Sequence, residues 1–206
     1  MKFTTYPYKS ADIILNNEKH KETFDEIVEV ISSITDEELK NHHLSKKNKG
    51  IKSSLAPTIN ALLKKKFLEK GWSAESAIFQ GEEYSSDKVW RLDFAKDSVS
   101  IEVAFNHGEA IAWNLLKPVL ASEVNNVNKA IETEIGVIIT TTKNLKTAGA
   151  FDGAVGEYEK FLRYLRPLST LMSVPIMIIG IEAPETFKLK AKKPGKPDDW
   201  GTIIDL

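Results

Sequence analysis

The segment from Trp90 to His107, WRLDFAKDSVSIEVAFNH, limits this chain more than any other, because its alternation reads as two short strands joined by a turn. Along the second strand Val99, Ile101, Val103 and Phe105 alternate with Ser100, Glu102, Ala104 and Asn106, the period of two expected of a half-buried strand. The first set is expected to pack and the second to face outward. On the first strand Trp90, Leu92 and Phe94 alternate with Arg91 and Asp93, and Ala95-Lys96-Asp97-Ser98 reads as the turn. Pairing about that turn places Asp93 opposite Ser100 and diagonal to Glu102. Diagonal neighbours on one face lie about 7 to 8 Å apart, within reach of two carboxylates converging on one divalent cation. Solvated acids on an open strand face show the same spacing, so spacing alone does not separate the two readings.

The rest of the chain must supply a core around this hairpin. With 206 residues, 42% of them hydrophobic, it is long enough for one globular domain with a substantial interior. Cysteine is absent, which excludes disulfides, thiolate chemistry and cysteine-ligated zinc and fits a reducing cytoplasm. The four histidines show no ligand spacing. The N-terminus, MKFTTYPYKSADIIL, has no signal-type apolar core, and no run approaches the roughly 20 apolar residues of a membrane span. A soluble intracellular protein is therefore expected. A net charge of -1 does not announce a nucleic-acid binder, yet lysines cluster at 46, 47, 49 and 52, at 64 to 66, and at 188, 190, 192, 193 and 196. Such clusters permit a polyanion partner without requiring one.

Helical periodicity covers 10–34, with Phe24, Ile27, Val28 and Ile31 as its apolar stripe. Thr35-Asp36-Glu37-Glu38 reads as a capping-box start, 42–52 as a mobile basic loop, and Ser54 as the cap of a helix ending at Lys70 before Gly71. Strands are predicted over 77–79, 88–94 and 99–105, then a helix over 109–124 that Pro118 should kink or break. The continuous apolar runs 135–140 and 174–181 suit strands covered on both faces, with a helix over 154–171 between them. From Pro184 the chain reads as an irregular basic tail. The fold expected is α/β, a central mixed sheet flanked by helices.

The spacing of Asp93 and Glu102 on a strand hairpin, followed by an apolar strand and a helix, resembles the PD-(D/E)xK nucleases. The blocks SADIIL at 10–15, NALLKKKFLEKGW at 60–72, LDFAKDSVSIEVAFN at 92–106, IGVIITT at 135–141 and VPIMIIGI at 174–181 are similar, in order, to type II restriction endonucleases of the BglII and BstYI group. The resemblance implies a homodimeric, Mg2+-dependent enzyme, with Mn2+ as a substitute, that cuts both strands of double-stranded DNA at a short palindrome centred on GATC. On that reading Asp93 and Glu102 hold the metal, and Glu75 binds or orients it through water or is a plain loop acid. Ala104 departs from the pattern, since the group carries Gln, Glu or Lys there to position or activate the attacking water. Three readings compete. The metal alone activates the water, another side chain such as Lys96 or Glu75 replaces the missing group, or the chain is an inactive or engineered form; a catalytically impaired or inactive member would act as a sequence-specific DNA-binding protein. For DNA contact the expected residues are Lys46, Lys47 and Lys49 at the phosphates, and Asn106 and His107 at base edges. Lys143, Asn144 and Asp152, in the segment 142–152, are further candidates.

Overall fold

In a computed structural model of the chain, which describes residues 1–47, 53–123, 127–191 and 200–206, a six-stranded mixed sheet is covered by helices on both faces. The chain enters through strand β1 (Phe3–Tyr8), then helices α1 (Ala11–Leu15), α2 (Lys21–Ser33), α3 (Asp36–Lys47) and α4 (Ala56–Glu69). Strand β2 (Ser73–Ala77) and a short helix α5 (Glu82–Ser85) lead into the hairpin β3 (Arg91–Lys96) and β4 (Val99–Val103). Helix α6 (Ile111–Ser122), strand β5 (Ile135–Thr141), helices α7 (Lys143–Ala148) and α8 (Tyr158–Leu165), and strands β6 (Ile176–Ile181), β7 (Phe187–Leu189) and β8 (Ile203–Asp205) complete it. The sheet order is β1-β6-β5-β4-β3-β2, parallel at β4-β5 and β5-β6 and antiparallel elsewhere.

The apolar runs dictate this layering. Every residue of β5 and β6 is buried, as befits central parallel strands with helices over both faces. Val137, Ile139, Met177 and Ile179 face the larger core with Ile27 and Ile31 of α2 and Ile59, Leu63 and Phe67 of α4. Ile138, Ile176 and Ile178 face the other with Ile111, Leu115 and Val119 of α6 and Phe161 and Leu165 of α8. Each such side chain contributes about 1.5 to 3 kcal/mol by leaving water.

The mixed sheet flanked by helices is the fold expected, but several elements differ. The helix predicted over 10–34 is two, because Asn17 accepts bonds from the backbone N–H groups of Lys19 and His20 and turns the chain. Helix α3 runs through His42 to Lys47, where a loop was expected; residues 48–52 lie outside the described residues. The strand predicted at 77–79 lies earlier, at Ser73–Ala77, and 88–90 forms a single 3-10 turn before β3. Strand β1 escaped the periodicity because Pro7 interrupts it, which an edge strand tolerates. The helix predicted over 154–171 is confined to Tyr158–Leu165. The tail is not irregular throughout: Phe187 and Leu189, both buried, alternate with exposed Lys188 in β7, which pairs with β8.

Pro118 does not end α6; its ring lies over Gly136 of β5. A Cβ built on Gly136 would stand 2.6 Å from Cβ and 2.8 Å from Cγ of Pro118, so any side chain there pushes α6 off the sheet. Gly136→Ala is expected to cost about 1 to 3 kcal/mol by overpacking, a fall in Tm of roughly 2 to 12 °C for a chain of this size. Thermal denaturation checks this against Gly153→Ala, whose Cβ meets nothing within 4 Å and which should leave Tm unchanged.

Candidate active site

The β3-β4 turn is shorter than the sequence suggested. Lys96 pairs with Val99, so only Asp97 and Ser98 form the loop, with Asp97 in the left-handed region at φ 50°. Ser100 therefore faces Ala95 rather than Asp93, and the register carries Asp93 opposite Glu102 instead of diagonal to it. The regular ladder stops at Phe94 and Ile101, one step short of the two acids. On the other side the β2-β3 ladder pairs Ala74 with Phe94 and Ser76 with Leu92 but omits Glu75 and Asp93, and Glu75 takes φ 52°. Glu75, Asp93 and Glu102 thus form one transverse row across three neighbouring strands, at the point where pairing opens.

Side chains fill the opening. The Asp93 backbone N–H donates to Glu102 Oε1 at 3.3 Å, and the Val103 N–H donates to Asp93 Oδ2 at 2.7 Å. Lys117 of α6 donates to Glu102 Oε2 at 2.7 Å. Glu102 does not face outward as expected: its side chain is 2% exposed and that of Lys117 12%, because α6 covers this face of β4. Asp93 lines a cleft of about 200 Å³ with Asn60 and Lys64 of α4, Glu75, Phe94 and Val103. Glu75 is half exposed, 3.8 Å from Lys64. A larger hollow of about 570 Å³, around Met1, Asp36 and Glu185, shares no lining residue with this cleft.

Burial dominates the electrostatics. It pushes the Glu102 carboxyl up to about 8, helped by the charge of Asp93 and opposed by Lys117. Asp93 is also raised by burial, opposed first by its bond from Val103. Two acids that resist ionisation together, Glu102 buried and Asp93 half-buried, suit a hard cation, which would relieve their repulsion. Among the described residues no group of three or more His, Cys, Asp or Glu converges as a complete metal cage. Two carboxylates offer oxygen donors of the kind that divalent cations accept.

The other expected site residues are dispersed around this row. Ala104 is 1% exposed and packs with Ile111 and Leu115, so its strand offers no polar group there. Lys96, expected as a substitute, is bound to Glu26 at 2.7 Å and to the Lys70 carbonyl at 3.0 Å, which removes it from that role. Asn106 and His107 are exposed and lie beside the segment that follows Asp152, with His107 bridged to Val155 and the Gly156 N–H bonded to the Asn106 carbonyl at 3.0 Å. Lys143 and Asn144 begin α7, capped by Thr142, where a loop was expected; both are exposed. The side chains of Lys46 and Lys47, and the whole of Lys49, lie outside the described residues. Sequence reasoning missed Lys117, a single lysine on an apolar helix whose only signal is that its neighbours are core.

The mixed sheet with its flanking helices has the restriction-endonuclease fold. The family model for restriction endonuclease BglII/BglIII matches residues 3–181, and the chain belongs to that family, the type II restriction endonucleases. Among solved structures it is similar to restriction endonuclease BglII complexed with a DNA 16-mer, at TM-score 0.66 and 19% identity over 100% of both chains. Free BglII matches at TM-score 0.59 and 19% identity, again over 100% of both. Comparison with curated proteins gives no match. Among the described residues no helix is long and apolar enough to cross a membrane.

The raised Glu102 makes metal-free stability depend on pH. An unfolded glutamic acid titrates near 4.5 and the folded one near 8, so the folded state holds this proton more tightly. Its contribution is fully present below pH 4.5 and is lost as pH rises through 8. In chelator, this group's contribution should lower Tm as pH rises from 4.5 to 8, and Glu102→Gln should remove that component; an identical slope in the two proteins would overturn the assignment.

Proposed function

We propose that the protein hydrolyses phosphodiester bonds of double-stranded DNA at a short palindrome, as a cytoplasmic homodimer dependent on Mg2+, with residues 1–206 forming one nuclease domain. The observation that carries this reading is the pair of half-buried Asp93 and buried Glu102, mutually repelling and fixed by backbone N–H groups at the open point of the ladder. The BglII complex with a DNA 16-mer supports duplex DNA as substrate. A two-fold dimer suits such a site because it offers one active centre to each strand. Asp93 and Glu102 would hold the cation, with Glu75 acting through water at the cleft mouth. When bound, the cation supplies a lowered water pKa and charge stabilisation at a phosphate oxygen.

Around that centre, Asn106 and His107 are assigned to base edges and Lys143, Asn144 and Asp152 to the flanks of the site, with a GATC core. Lys46, Lys47 and Lys49 are assigned to phosphates, which makes binding salt-sensitive. A second reading, sequence-specific binding without cutting, is favoured by one observation, the methyl group of Ala104 in place of a polar side chain.

Purified protein incubated with unmethylated phage DNA in Mg2+, in Mn2+ and in chelator should give discrete, metal-dependent fragments. Asp93→Asn removes several kcal/mol of charge stabilisation, a slowing of about 10²-fold or more. Gel shift without fragments would establish the binding reading, and neither shift nor fragments would overturn both.

A further inference from the structure

We propose that Lys117 supplies, from helix α6, the cationic group that works beside the attacking water, a task the strand position at Ala104 cannot perform. This rests on the endonuclease reading above. Its ammonium lies 2.7 Å from Glu102 Oε2, at the inner end of the acidic row, and its side chain is 12% exposed on a helix whose Ile111, Leu115, Pro118 and Val119 are core. Burying an ammonium against a carboxylate generally costs more than an apolar pair of the same size, so packing alone gives no reason for a lysine here.

Charge balance gives one. With a divalent cation bound and both carboxylates ionised, Asp93, Glu102, Lys117 and the cation would sum to one positive charge, which a single phosphodiester neutralises. Without Lys117 the loaded site would be neutral and the arriving phosphate unbalanced. Other cations are placed differently: Lys64 is half exposed beside Glu75, and Lys96 is held by Glu26. During hydrolysis the water oxygen bonds to phosphorus, the bond to the leaving sugar oxygen breaks, one water proton passes to solvent, and the leaving oxygen takes one up. The Lys117 ammonium donates to the incoming oxygen or to a non-bridging phosphate oxygen, the charge stabilisation that preorganised donors provide.

The test compares wild type, Lys117→Met and Lys117→Arg on a phage DNA fragment that wild type cuts, under single-turnover conditions, with gel shift in Ca2+ and thermal denaturation alongside. Lys117→Met should cut about 10² to 10³ times more slowly while retaining its gel shift, and Lys117→Arg, which keeps the charge, should recover most of the loss. Without DNA, Lys117→Met should have the lower Tm in chelator, and Mg2+ should narrow that gap, because the ion replaces the charge that Glu102 lost. Cutting by Lys117→Met at the wild-type rate, or equal loss in the Met and Arg variants when both are folded, overturns the role of Lys117 alone. Wild type that cuts nothing overturns it together with the endonuclease reading.

Discussion

Backbone N–H groups in the middle of a sheet must find acceptors, and at the centre of this one they find carboxylates. Asp93 N–H is satisfied by Glu102 and Val103 N–H by Asp93, so the two acids close the gap that their own strands leave in the ladder. Each carboxylate is thereby fixed to the opposite backbone, not left to rotate on its own stem. Withdrawing either would leave a buried donor bare, at about 1 to 3 kcal/mol. The same bonds that complete the sheet hold the two acids in place, so the scaffold and the proposed site share their contacts.

Glycine 136 sets how near the covering helix comes. It pairs with Ser100, two residues before Glu102 on β4, and its missing side chain admits the ring of Pro118. Lys117 precedes that proline in α6. The contact that seats the helix therefore also brings the ammonium to Glu102, while Asp93 lines the open cleft beside α4. One acid meets solvent and the other a buried cation.

What the sequence made legible followed from side-chain period. The alternation over 90–107 gave both acids and both strands, and the unbroken apolar runs gave β5 and β6 as covered strands. Register was not legible, because whether the turn holds two residues or four depends on Asp97 accepting a left-handed conformation, which no alternation reveals. The burial of Glu102 was misread for a related reason. A polar residue on an alternating strand looks solvent-facing until the partner helix is known, and that helix approaches through a glycine and a proline 18 residues apart in sequence. The tail hairpin was hidden by its Pro, Lys and Gly content, although Phe187-Lys188-Leu189 carries the right pattern over only three residues.

Lys117 was invisible to motif reasoning because it lies 15 residues beyond Glu102 on another element. A strand motif with an acid and, two positions later, a basic or amide residue records one way of bringing two side chains to one point. The reaction fixes where charge must stand relative to the phosphate, not which backbone delivers it. Once α6 lies within reach of Glu102, a lysine on that helix meets the requirement and the strand position is free to serve packing. Ala104 fits this exchange, for it is buried in the same apolar cluster as Ile111 and Leu115, where a longer polar chain would need room and a partner.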